Sequence, residues 1–201
     1  YYKNNFFTFG CFNNSSKISD ETIEVWSKIL FKVDNSKLIL KAVSRDAETA
    51  HKNFLDKFKK FKIDESRIII LPRTKNRKDH YKLYNKIDLA LDTFPYPGVT
   101  TSFEAVWMGV PFLTLEGNNF VSRCGKSINL NLGMEDFIAS NLDDYINKAV
   151  SFSKEHKKLS EIRKLLRKKA INSPLFNSQN FGKNLSGLLN TIWKNNLLKN
   201  N

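Results

Sequence analysis

The sequence predicts an α/β fold: a Rossmann-like parallel sheet with helices on both faces, followed by a helical C-terminal tail. Two observations carry this. Short apolar, branched runs of strand length alternate with stretches of helical periodicity as far as residue 115, which is the pattern of strands joined by right-handed helical crossovers. At residues 87–104 a strand-like run meets a loop rich in Pro and Gly and then a helix start. Such a junction aims unpaired backbone N–H groups over the sheet edge, as α/β proteins do to hold phosphate.

The elements follow in order. Residues 6–12 form a first apolar strand, and the polar turn 13–17 leads to a helix beginning near Ser19 or Asp20. Ile23, Trp26, Ile29, Leu30 and Val33 give that helix one apolar face. Residues 38–43 make the second strand, Asp46 can cap a second helix with Phe54, Leu55 and Phe58 inward, and residues 67–71 make the third strand. A short helix at 78–84 precedes the fourth strand, 87–91, from which the chain leaves at Asp92. Thr100 and Thr101 fall at the N-cap and first turn of the next helix, which carries Ala105, Val106, Trp107 and Met108. Residues 111–115 supply a fifth strand. Past Gly133 the pattern is helical: 143–153, 157–169 and 178 to about 198, with Ser173-Pro174 parting the last two. We expect one domain over 1–201, an α/β core to about 140 and a tail over 141–201 that packs on the sheet or reaches towards a partner domain.

Composition narrows the partners. A chain of 201 residues suffices for one domain with its own core. It begins at Tyr1 rather than Met, so we expect it to belong to something longer. No apolar run has the length of a transmembrane segment. Cys11 and Cys124 are too few for a disulfide framework or a zinc site and read as small buried residues. The net charge of +13 raises nucleic acid or an anionic membrane as partners, but the Lys residues are spread along the chain with no known nucleic-acid motif. The densest basic run, 154–169, also holds Leu159, Ile162, Leu165 and Leu166 at helical spacing. It reads as an amphipathic helix with a solvated basic face.

Three loops at the carboxyl ends of strands carry usable chemistry. Lys17 can cancel charge on a departing phosphate, although a loop lysine in so basic a chain is more often a plain surface residue. Arg77 and His80 follow the third strand, where a lone histidine can also be structural. The helix start at Thr100 and Thr101 can hold phosphate, and Glu104, one turn on, can accept ribose hydroxyls or simply complement the helix dipole. Gly-x-Gly-x-x-Gly, Walker and Gly-x-Ser-x-Gly motifs are absent, as are Asp-x-Asp pairs and His/Cys clusters. A bound diphosphate would therefore be neutralised by Lys17 and backbone donors, without metal.

One long, irregular motif goes further. Leu91-Asp-Thr-Phe-Pro-Tyr, Gly98 to Thr101, Glu104-Ala-Val-Trp-Met-Gly-Val-Pro, Thr114-Leu, Gly117 and Ser122-Arg123 with Gly125 closely resemble the catalytic C-terminal half of the O-linked N-acetylglucosamine transferase and SPINDLY family. Phe9-Gly-Cys-Phe-Asn-Asn with Lys17-Ile18, Arg67-Ile-Ile, Ser173-Pro-Leu-Phe-Asn, Phe181 and Trp193 fall in the same order as in that family.

The resemblance implies a family-41-like GT-B glycosyltransferase. It would be inverting and metal-independent, without a cofactor, and would move N-acetylglucosamine from a UDP-sugar to protein Ser/Thr in the cytoplasm. This chain would be the nucleotide-sugar-binding half, with the acceptor half, any general base and any tetratricopeptide repeats upstream. Lys17 then corresponds to the lysine on the donor diphosphate and Asn14 to a neighbouring polar residue. His80 corresponds to a histidine against the base, Thr100 and Thr101 to threonines on the phosphates, and Glu104 to an acidic residue on the ribose. Val99 replaces a phosphate-contacting histidine of the animal enzyme and Leu83 an arginine near the uracil. Because family members use UDP-N-acetylglucosamine, UDP-glucose or GDP-fucose, the base stays open. Two rivals are a non-catalytic nucleotide-sugar-binding module and a basic nucleic-acid or membrane-surface binder acting through 154–169.

Overall fold

A computed structural model describes residues 5–41 and 47–199. Six parallel strands form one sheet in the order β3-β2-β1-β4-β5-β6. They are β1 Phe7–Cys11, β2 Ser36–Lys41, β3 Ile68–Leu71, β4 Leu89–Leu91, β5 Phe112–Leu115 and β6 Ile138–Ala139. This is the doubly wound order, whose direction reverses between β1 and β4 and opens a crevice above their carboxyl ends.

The helices are α1 Asp20–Lys32, α2 Ala47–Lys60, α3 Arg77–Leu83, α4 Thr100–Trp107, α5 Cys124–Asn131, α6 Leu142–Lys154, α7 His156–Ile171 and α8 Ser178–Lys199. α1 packs with α2 and α6, while α4 packs with α5 and α7. The alternation along each strand sorts the core between these layers. Phe7, Phe9, Cys11, Leu38 and Leu40 share a cluster with Trp26, Ile23 and Ile29 of α1. Phe12 and Ile39 meet Tyr84, Ile87 and Ala105 in a second cluster. Trp26 and Ile29 are wholly buried, and each such side chain contributes about 1.5–3 kcal/mol of transfer free energy.

Local chemistry sets the boundaries. Ser19 caps α1 by accepting from the Thr22 N–H at 3.1 Å, and Asp20 and Glu21 complement the dipole in its first turn. Asn141 caps α6 through the Asp144 N–H at 2.9 Å. The expected cap of α2, Asp46, lies outside the described residues.

Several expectations need correction. The fourth strand is Leu89–Leu91, because Ile87 ends a 3-10 turn and spends its side chain in the second cluster. Val99 occupies the N-cap of α4 with no side-chain cap, so Thr100 and Thr101 are the first helical residues. Residues beyond Gly133 are not purely helical, since β6 pairs with β5 through Thr114↔Ile138 and Leu115↔Ala139. Two residues are too few to show a period. α5, which begins Cys-Gly-Lys-Ser, was equally hidden, for it has no run of strong helix formers. On α7, Leu159 and Leu166 are buried, but Leu165 is 62% exposed. It sits on the solvent side of the turn that buries its neighbour.

α6 and α7 pack against the rest of the domain, whereas residues 178–197 of α8 are exposed throughout. No helix among the described residues is long and apolar enough to cross a membrane.

Candidate active site

The crevice between β1 and β4 is built on Asp92, which follows β4 and is fully buried. Its Oδ1 accepts from Asn13 Nδ2 at 3.0 Å, the Thr93 N–H at 3.0 Å and the Gly98 N–H at 2.6 Å. Its Oδ2 accepts from Thr114 Oγ1 at 3.0 Å, and its carbonyl accepts from the Tyr145 hydroxyl at 2.9 Å. One carboxyl thus joins the loops after β1 and β4 to β5. Burial nevertheless pushes its pKa up to about 6, outweighing the donors from Gly98, Asn13, Thr114 and Thr93 that favour the charge.

Asn13 extends the network. It donates to Thr93 Oγ1 at 2.9 Å, and its Oδ1 accepts from Thr101 Oγ1. Gly98 fits only because it lacks a side chain: a Cβ there would lie 2.6 Å from Asn13 Oδ1, Ser102 Oγ and Thr101 Oγ1. The loop is therefore held flush against the start of α4, whose first N–H groups have no intrahelical acceptor.

Lys17 reaches this loop from the other side. Its Nζ donates to the Pro97 carbonyl at 2.9 Å and lies 3.8 Å from the centre of the Tyr96 ring. The ammonium and the α4 N-terminus thus flank the same loop, the combination that favours a polyanion.

The other end of the crevice is a chain of polar groups. Lys41, at the carboxyl end of β2, lies with its Nζ 2.6 Å from His80 Nδ1 on α3. His80 Nε2 lies 2.9 Å from Glu104 Oε2, which also accepts from the Tyr84 hydroxyl at 3.2 Å. His80 packs edge-on against Tyr84, with ring centroids 5.4 Å apart. Desolvation lowers the Lys41 pKa, opposed by the charge of Glu104.

The residues singled out from sequence fall unevenly on this geometry. Lys17, Thr101, His80 and Glu104 enter the hydrogen-bonded network. Thr100 and Val99 stand at its rim, Val99 39% exposed. Asn14 is exposed and spends its side chain on the Ser16 N–H at 3.1 Å; its neighbour Asn13 enters the crevice. Arg77 opens α3 with its side chain in solvent, making no side-chain hydrogen bond or ion pair among the described residues. Sequence reasoning missed Asn13, Lys41, Tyr84, Tyr96 and the anchoring role of Asp92. The usable signal was a polar residue directly after each of two apolar strands. Cys11 is a buried thiol that burial raises to about 12, and no group of three His, Cys, Asp or Glu among the described residues is arranged to hold a metal.

The pattern that defines glycosyl transferase family 41 matches residues 2–185. The chain belongs to glycosyltransferase family 41. In keeping with that family, it is 34% identical over 191 residues to a tomato (Solanum lycopersicum) protein named as a probable UDP-N-acetylglucosamine--peptide N-acetylglucosaminyltransferase, SPINDLY. The match covers 95% of this chain and 20% of the tomato protein. Among solved structures it resembles a variant of the Thermobaculum terrenum O-GlcNAc transferase, at 30% identity and a TM-score of 0.89, over 96% of this chain and 37% of that one. The crystal structure of TarM, 17% identical with a TM-score of 0.65 over 90% of this chain and 36% of that one, shares the fold. The family-41 chain thus has the Rossmann-like sheet and helical C-terminal region of GT-B-like transferases, and it spans about a fifth of the curated relatives' length.

Proposed function

We propose that this chain is the donor-binding part of an inverting protein glycosyltransferase. It takes a sugar, N-acetylglucosamine from a UDP-sugar in the first instance, to the hydroxyl of a protein Ser or Thr in the cytoplasm. The observation that carries this reading is the meeting of Lys17 with the loop that opens α4, Pro97 to Thr101, above the β1/β4 crevice. The names of the relatives supply the sugar and the peptide acceptor.

In a single displacement the acceptor oxygen attacks the anomeric carbon as the bond from that carbon to the phosphate oxygen breaks. The negative charge that develops on the leaving diphosphate is met by the Lys17 ammonium and by the first N–H groups of α4, with no metal. Thr101 gives its hydroxyl hydrogen to Asn13, so its contribution to phosphate is through its backbone N–H. Thr100, exposed at the rim, can offer its hydroxyl. Glu104 and His80 take the nucleoside end. The acceptor groove and the base that receives the hydroxyl proton lie outside this chain.

Lys17→Ala in the longer protein should lower turnover by about 100-fold or more, the scale of losing a preorganised charge partner of the transition state. A steady-state transfer assay checks this, and unchanged transfer overturns the assignment. Retained UDP binding by a wild-type protein that transfers nothing would instead identify a nucleotide-sugar-binding module.

A further inference from the structure

Glu104 Oε2 is engaged by two neighbours, His80 Nε2 at 2.9 Å and the Tyr84 hydroxyl at 3.2 Å, while Oε1 accepts no hydrogen bond among the described residues. The side chain is only 18% exposed, so an open acceptor there faces a confined space. What holds His80 against Oε2 is decided one residue further back. Lys41 Nζ lies 2.6 Å from His80 Nδ1 and 3.3 Å from Thr74 Oγ1. An ammonium has donors and no acceptor, so Nδ1 must present its lone pair, and the ring hydrogen must sit on Nε2. A carboxylate only accepts, so that hydrogen points at Glu104. Cation, neutral imidazole and anion form one line with a single consistent arrangement of hydrogens.

We propose that Lys41 is a positioning residue of the donor site: it fixes His80 as the Nε2–H tautomer, which binds Glu104 through Oε2 and leaves Oε1 to a ribose hydroxyl of the donor. No part of Lys41 need touch the ligand. It acts through the imidazole, from the carboxyl end of a strand whose Leu38, Ile39 and Leu40 are core. The strand's alternation makes this possible, since Lys41 shares the face of Ile39, which packs with Tyr84. The inference rests on the donor-site reading above.

Two measurements on the full chain test it. The first uses histidine labelled with nitrogen-15, with the His80 signals assigned by their loss in His80→Asn. Wild type should show an unprotonated Nδ1 and a protonated Nε2. Lys41→Met should allow hydrogen onto Nδ1, and Lys41→Arg, which keeps a donor, should retain the wild-type pattern. The second compares calorimetric binding of UDP, and of GDP, with their 2′,3′-dideoxy forms. Wild type should prefer the ribose form of whichever nucleotide binds by about tenfold or more, the scale of a hydrogen bond to a charged group. Lys41→Met should reduce that preference to about twofold, and Lys41→Arg should restore most of it. A protonated Nδ1 in wild type, or a Lys41→Met chain with tautomer and ribose preference unchanged, overturns the proposal. If wild type binds neither nucleotide, the donor reading fails and this role with it, while the imidazole signal still reports whether Lys41 sets the tautomer.

Discussion

Asp92 shows how much one side chain can organise. Its carboxyl gathers Asn13, Thr93, Gly98 and Thr114, so the loops after β1 and β4 both depend on it. Because burial raises its folded pKa from 3.8 to about 6, the folded state holds this proton more tightly than the unfolded chain does. The associated stability is fully present below about pH 4 and is lost as pH rises through about 6, an effect of about 3 kcal/mol at 1.36 kcal/mol per pKa unit. Asp92→Asn removes the titration. Urea unfolding at pH 4 and pH 7 should therefore show a difference between the two pH values that is smaller by about that amount in the variant than in wild type. An identical pH dependence in both proteins would show that Asp92 keeps an ordinary pKa. From sequence, Lys17, His80 and Glu104 are legible because a charged or titratable residue in a loop or first helical turn stands out. Asn13 and Asp92 are marked only by standing directly after apolar runs, since a buried polar residue is otherwise indistinguishable from a turn former until its partners are located. Lys41 is hidden by its strand, expected over 38–43, inside which a lysine reads as a solvent-facing position.

At the level of elements, the strand–helix alternation was readable through β5 because the strands there are short apolar runs and α1 carries an apolar stripe. It failed at α5 and β6, which owe their form to neighbours: Asn129 of α5 donates to the carbonyls of Phe112 and Phe137 at 3.1 Å each, tying the two strands' surroundings together. α8 was readable too, but what its apolar residues do was not. Phe181, Leu185, Leu188, Leu189, Ile192 and Trp193 recur at helical spacing and are all exposed. Nothing within the described residues covers them. Replacing Leu188 and Ile192 together by Glu should leave the thermal midpoint of this chain within about 2 °C, as expected for surface changes worth less than about 0.5 kcal/mol. A drop of several degrees would mean that the stripe is buried within the domain in solution. The same substitution at Leu159 and Leu166, which α7 buries, should cost more than 5 kcal/mol in total and unfold the chain.

For the molecule as a whole, the alternation of strands and helices supports a parallel sheet covered on both faces but not its strand order, which the structure shows to be doubly wound and which puts the crevice where that order reverses. A ligand that binds only the assembled crevice must stabilise the entire fold. UDP at about 100 times its dissociation constant should add about 2.7 kcal/mol to unfolding, and differential scanning fluorimetry reads this as a raised midpoint. No shift at saturating UDP or GDP would remove the donor-site assignment. The contacts that close the crevice also carry a kinetic meaning. Asn13 meets Asp92 and Lys17 meets Pro97 across separations of 79 and 80 residues, so the loop-closure entropy of almost half the chain must be met before either forms. During synthesis, residues 13 and 17 emerge long before their partners. The assembled crevice is therefore a late property of the nascent polypeptide, completed only after β4 has slotted beside β1.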